Sequence, residues 1–189
     1  MALLLLTLVR EDLLTAWRQS SPPDAPNHFM INIQPEQKSL IESELASNGI
    51  SDAPLYPMIR ERLLQVDGRE VRPASYTEER ARRLVEREFN LSTMFDMPEK
   101  NTLVEGRWFD PVKARAEASV EQGLAKTLGL KLGDRLRFDV AGQSVDVTIT
   151  SVRKLDWGSM RVNFFVILSP DVASRSEEHT SELQSLRHL

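Results

Sequence analysis

Ala2 to Val9 (ALLLLTLV) is an unbroken apolar run that stops at Arg10-Glu11-Asp12. A helix needs about 20 apolar residues to cross a bilayer, so these eight cannot do it alone. A secretory leader would carry a charged segment before the run and a small-residue cleavage site after it, and neither is present. Asp12 to Arg18 instead continues the run with helical apolar spacing. The expectation is that residues 1–19 are the end of a transmembrane helix that begins upstream, with a short juxtamembrane helix after it. The remainder of the chain would then be carried into water. The alternative is an amphipathic helix packed on a soluble core.

The other end is also unusual. Arg175 to Ser185 (RSEEHTSELQS) reads like the translation of a common sequencing adapter, so residues 175–189 are expected to be a non-native tail. The whole chain carries a net charge of −4, and removing the tail's two arginines and three glutamates leaves −3. The roughly 155 residues between the apolar start and the tail suit one domain or two small lobes. A mildly acidic balance argues against a nucleic-acid binder, which would show a basic stripe. The chain has no cysteine, which excludes disulfides, thiolate metal sites and cysteine nucleophiles.

Ser20 to Asn27 contains three prolines and cannot continue a helix, so it reads as a stiff link. His28 to Ile33 alternates as a strand with one buried face. Pro35 and Glu36 open a helix through about Ser47, stopped by Asn48-Gly49. Met58 to Val66 is a second strand, and Asp67-Gly68 turns it into Arg69–Arg72, a hairpin signal. These pieces form a strand-helix-strand lobe. Thr77 to Glu86 begins as a charged helix, Phe89 to Met94 is extended, and residues 75–112 are open to reading as an inserted lobe.

The last third is the most regular. Ala118 to Glu121 is a short strand, and a helix from Gln122 to Leu128 closes at Gly129. Asp134–Val140 and Ser144–Arg153 alternate across a tight turn, and Asn163 to Leu168 is a nearly continuous apolar strand. The pattern suggests a small barrel-like or sandwich lobe rich in β-structure.

Candidate chemistry is sparse. His28 is the only histidine outside the tail, and a surface role fits it better than a hydrolase role. No HExxH, GxSxG, GxGxxG or GxxxxGK[ST] spacing occurs, so no catalytic, cofactor-binding or metal-ligating residue is assigned. The carboxylates at Glu78-Glu79 and Glu86/Glu88 lie among Arg80, Arg82, Arg83 and Arg87, a solvated helix face rather than an acid/base dyad. Asp156 and Trp157, within Leu155-Asp156-Trp157-Gly158, are the one candidate partner contact, because an exposed aromatic between strands can meet a protein or lipid headgroups. The competing reading is a structural turn with Trp157 capping the lobe.

The chain resembles the periplasmic part of an FtsX/MacB-type ABC transporter permease. The segments that carry the resemblance are Ala2–Gln37, Leu55–Gly68, Glu86–Ser92, Gly123–Gly142 (GLAKTLGLKLGDRLRFDVAG) and Ser151–Pro170 (SVRKLDWGSMRVNFFVILSP). The A-x-x-LGLKLGD pattern supports the superfamily. The NIQPEQ and RKLDW…NFF segments are similar to the large subgroup linked with lysophospholipase L1 biosynthesis. The resemblance implies an α/β (α+β) MacB-like periplasmic core domain at residues 20–174, in a permease of the bacterial inner membrane. It implies pairing with a cytoplasmic ABC ATPase through parts not in this sequence, no ATP hydrolysis here, and handling of an envelope lipid or protein by mechanotransmission. A soluble ligand- or peptide-binding module without a transport role is the alternative.

Overall fold

A strand of twelve residues, β2 (Leu55–Val66), is the member to which most of the fold is attached. It belongs to a computed structural model that describes residues 10, 26, 28–50, 53–110, 115–140, 143–173 and 181–186. The expected membrane helix and all but one residue of the proline-rich link lie outside the described residues or touch them only at Arg10 and Pro26. Among the described residues no helix is long and apolar enough to cross a membrane.

In chain order the elements are β1 (His28–Ile33), α1 (Lys38–Ser47), β2, β3 (Arg69–Glu70), α2 (Glu79–Val85), β4 (Phe89–Thr93) and β5 (Asn101–Gly106). They continue as β6 (Glu117–Glu121), α3 (Gln122–Leu128), β7 (Arg135–Val140), β8 (Gln143–Leu155), β9 (Val166–Leu168), α4 (Pro170–Ala173) and β10 (Ser181–Leu186). The class is mixed α/β, as expected. β2 pairs antiparallel with β4 and with β7, β4 lies parallel to β9, and β9 lies antiparallel to β6. β6 then runs parallel to β8, which returns antiparallel to β7. These pairings close on themselves, so the strands form a small barrel-like circuit whose members have no open edge toward one another. β5 is added outside the circuit on β8. β10, from the adapter-like tail, lies between β1 and β2.

Local chemistry explains the joints. Asp67 (φ 50°) and Gly68 (φ 75°) are both left-handed, the geometry a tight two-residue hairpin demands. Before α1 a single 3-10 turn at Pro35–Gln37 is held by reciprocal Gln34 and Gln37 contacts. The Glu121 carboxylate accepts hydrogen bonds from the Gly123 and Leu124 N–H groups at 2.7 and 2.6 Å, capping the otherwise unpaired first turn of α3. Gly129 ends that helix at φ 71°.

Alternation along the strands sorts apolar side chains between two clusters. Ile59, Leu63, Leu91, Val120, Leu136, Phe138, Val147, Val166 and Leu168 join Ala81 and Val85 of α2 and Leu124 and Leu128 of α3 in the main cluster. Met58, Met94, Phe109, Val162, Phe164 and Ile167 form a second. Residues 75–112 therefore contribute β4 and β5 to the same sheet, and α2 packs on the same core.

Two expectations about strands are corrected. β1 does not bury one face: only Ile33 is buried, and Phe29 and Ile31 are exposed, because among the described residues β1 lies at the end of the sheet with β10 as its one neighbour. The apolar run at Asn163–Leu168 becomes a strand only from Val166. Asn163 and the Phe164 carbonyl are instead engaged in a polar network described below.

Gly106 (φ 78°) ends β5, where an added Cβ would lie 2.1 Å from the Thr150 carbonyl oxygen, whereas Gly129 faces open space. Gly129→Ala is expected to lose the left-handed penalty of about 1–2 kcal/mol. Gly106→Ala should lose roughly 1–3 kcal/mol more, through the clash with β8. Urea unfolding midpoints of the two variants check this, and equal losses would show that β5 shifts freely.

Candidate functional site

The end of β8 leads into a one-turn 3-10 helix at Trp157–Ser159. The Asp156 carboxylate accepts from the Gly158 N–H at 3.0 Å, and the Ser159 hydroxyl donates to the Asp156 carbonyl at 2.6 Å. The Asp156 N–H donates to the Lys100 carbonyl at 3.2 Å, tying the turn to β5. Asp156 is thus occupied in shaping the turn, while Trp157 is presented by it. Trp157 and Met160 are each 53% exposed. The indole leans on Phe165, with ring centroids 5.6 Å apart at 50°.

Beneath the turn lies a buried cation. Arg153 is fully buried on β8 and donates to Asn101 Oδ1 at 2.7 Å and to the Phe164 carbonyl at 2.5 Å. Its Nε has no hydrogen-bond partner. Burial pushes the guanidinium down to about 9, against the attraction of the Glu121 carboxylate, which raises it. The group is therefore charged at neutral pH. Asn101 Nδ2 donates in turn to Asn163 Oδ1 at 3.0 Å, and Asn163 Nδ2 to the Arg161 carbonyl at 3.2 Å. This chain of contacts fixes the segment 160–165, which carries Val162 and Phe164 back to the second cluster.

Phe165 also forms part of the lining of a groove between α2 and α3, with a volume of about 650 Å³. Leu84 and Leu124 supply further apolar lining, and Arg80, Arg83 and Arg87 the cationic part. Arg83 is paired with Glu79 at 2.9 Å, and Arg82 Nε donates to the Tyr76 carbonyl at 2.7 Å, which fixes α2 against its preceding turn. The volume falls within the range of small-molecule and peptide pockets. Trp157 stands against the Phe165 end of this groove, so the candidate contact is a turn plus a groove rather than a turn alone.

Sequence reading named Asp156 and Trp157 as a candidate contact and placed the arginines on a solvated helix. It missed Phe165, Leu84 and Leu124, because nothing local shows that α2 and α3 lie side by side. The usable signal was the double aromatic Phe164-Phe165, which alternation splits between a buried side and an outer one. His28 is exposed at the start of β1, far along the chain from any of these groups. Among the described residues no group of three or more histidines, cysteines or carboxylates could hold a metal ion.

No protein-family model matches the chain. It is 40% identical over 167 residues to the uncharacterized ABC transporter permease YbbP of Escherichia coli (strain K12), covering 88% of this chain and 20% of that protein. The chain therefore spans about a fifth of the length of this curated relative. Among solved structures, a domain from Porphyromonas gingivalis described as that of a permease protein aligns with a TM-score of 0.44 at 14% identity, covering 77% of this chain and 66% of that one.

Exposure separates presentation from packing. Trp157→Ala is expected to cost about 1 kcal/mol or less, the worth of one aromatic contact at a half-exposed site. Phe164→Ala, at 2% exposure, should cost roughly 3–5 kcal/mol. Denaturant titration of both variants decides between a presented Trp157 and one that caps the core, since a cap would show losses of similar size.

Proposed function

We propose that this chain is the periplasmic domain of an FtsX/MacB-type ABC transporter permease of the bacterial inner membrane. The observation that carries the reading is the 40% identity to an ABC transporter permease across 88% of the chain, which extends over nearly the whole folded part. In this reading Ala2–Val9 is the end of the membrane helix that leads into the domain. A separate cytoplasmic ATPase supplies the energy, and no hydrolytic chemistry resides here. The domain relays ATP-driven motion to an envelope lipid, lipoprotein or other periplasmic partner. Trp157 and the groove between α2 and α3 form the surface that partner meets. The subgroup linked with lysophospholipase L1 biosynthesis is the finer placement, on the NIQPEQ and RKLDW…NFF segments.

The physical support is a division of labour. The strand circuit is a stiff body, and stiffness is what a relay needs. Among the exposed apolar groups, Trp157 and Met160 lie on one turn, where a partner can reach them.

Because the chain lacks cysteine, topology can be tested with single labels. Residues 2–173 carrying Met160→Cys, spliced into a cysteine-free form of the E. coli permease in place of the matching segment, should react with a membrane-impermeant maleimide. The reaction should occur in cells whose outer membrane alone is permeabilised. Labelling that appears only after the inner membrane is broken would overturn the periplasmic placement. A parallel Trp157→Ser chimera should retain membrane insertion while losing transport-dependent growth or efflux phenotypes of the host permease. Unchanged phenotypes would remove Trp157 from the contact.

A further inference from the structure

The groove between α2 and α3 carries more positive charge than the fold itself employs. Arg80, Arg83 and Arg87 follow one another at spacings of three and four residues along α2 and the turn after it. Residues so spaced share a helix face, and all three line the groove. Like charges in that arrangement repel. Arg83 is compensated by Glu79 at 2.9 Å, whereas among the described residues Arg80 and Arg87 have no carboxylate within ion-pair distance. Arg87 follows the C-terminus of α2, where the helix dipole favours a cation; Arg80 lies in the first turn, where the dipole disfavours one. The charge of Arg80 is therefore a cost to α2.

Three carboxylates also line the groove, Glu79, Glu86 and Glu121. Glu79 is taken by Arg83, and the Glu121 oxygens accept the Gly123 and Leu124 N–H groups. Glu86 alone is left against Arg80 and Arg87, so the unpaired balance is cationic, most of all at Arg80. Half-buried Leu84 lies one helical turn after Arg80 and three residues before Arg87, and Phe165 lines the same groove. Along α2 the order is thus cation, apolar, cation, with the two arginines about 10 Å apart at the helical rise. An amphiphile with a single anionic head satisfies one end of such a row and leaves the other bare. Two anions with apolar groups between them satisfy both. An α-helix supplies that pattern when carboxylates stand seven residues apart with apolar residues three and four places after the first, because those positions share a face.

We propose that the groove receives an acidic amphipathic helix of a partner protein, with carboxylates on Arg80 and Arg87 and apolar side chains on Leu84 and Phe165. This rests on the reading of the groove as the partner surface and names the chemistry of that partner. Trp157, leaning on Phe165, borders the apolar part of the site. Glu86 stands beside Arg87 in the chain and repels a carboxylate there, so Arg80 carries the larger share of recognition. Both arginines are exposed, and the contact is accordingly weakened by salt.

The test selects a displayed library of helical peptides, randomised at the four positions of one face, on the immobilised full chain at low ionic strength. Enriched sequences should place Asp or Glu at the two outer positions and apolar residues at the inner two. A selected peptide should bind roughly two- to fivefold more weakly to Arg80→Gln, the scale of an exposed ion pair, and less weakly than that to Arg87→Gln. Lys126→Gln, which removes an exposed cation of α3 outside the groove lining, should leave binding unchanged. Arg80→Glu should lose the peptide and recover a version whose first carboxylate is replaced by Lys, a recovery that a misfolded variant cannot give. Phosphatidylglycerol vesicles are the competing probe. Selection that enriches no acidic residue, peptides that bind Arg80→Glu as tightly as the unaltered chain, or sedimentation with the vesicles that depends on Arg80 without any acidic enrichment would each overturn the proposal. Such a result leaves the permease reading standing, since the accessibility of the spliced domain tests that separately.

Discussion

Along its twelve residues β2 hydrogen-bonds to β10, β4, β7 and β3 in turn, and its two faces feed different clusters. Met58 goes to the second cluster, while Ile59 and Leu63 go to the main one. Arg60 and Arg62 are exposed between them. A slip of one residue would exchange the faces and drive an arginine into the main cluster, at the cost of burying an unpaired charge. The register of β2 is thus fixed by charge as much as by apolar packing. Once it is fixed, the positions of β4 and β7 follow, and through them β9, β6 and β8. The closed circuit depends on this strand holding its place.

The same logic recurs at smaller scale around Arg153. Burying a guanidinium costs several kcal/mol before compensation, and here its bonded acceptors are neutral, Asn101 and the Phe164 carbonyl. Glu121, its register partner on β6, helps through its field while its oxygens cap α3. A buried apolar residue at this place would pack without choosing among conformations of the segment that follows β8. The arginine has directional donors, and they accept only the arrangement in which residues 160–165 cross back over the sheet. Arg153 is in this sense a specifying group: it sets where Trp157 is displayed and which ring of the Phe164-Phe165 pair faces inward.

Much of the secondary structure was legible because its signals are local. Asp67-Gly68, Asn48-Gly49 and Gly129 mark turns by backbone conformation, and the alternation of β7 and β8 marks a hairpin; each is contained within a few residues. The polar-apolar alternation of His28–Ile33 was equally visible but misleading, since alternation tells which residues share a face and not whether anything covers it. What was illegible is set by pairing between distant segments. Nothing in Phe89–Thr93 shows that it lies between β2 and β9, and nothing in Glu117–Glu121 shows a parallel neighbour. The groove was hidden for the same reason, as it exists only because α2 and α3, some 40 residues apart in sequence, are set down side by side. The turn that carries Asp156 and Trp157 was legible because it is local; Phe165, on which Trp157 leans, depends on the buried network.

A body that relays displacement has to resist shear between its ends. β2 and β8, at about 3.3 Å per residue, are the longest strands among the described residues, and β7 hydrogen-bonds to both. In an open sheet, force applied to one strand would be taken up by twist toward the free edge. Here the circuit returns through β4, β9 and β6, so each of these strands is held on both sides and sliding any one breaks bonds in two ladders at once. In the proposed relay, motion delivered to β2 would pass to β8 by two routes, through β7 and through β4, β9 and β6. The short connections at Gly68, Gly129 and the Asp156 turn add no slack. In that proposed role the presented Trp157 turn is where the motion would be used, and none of the stiffness depends on a reactive site.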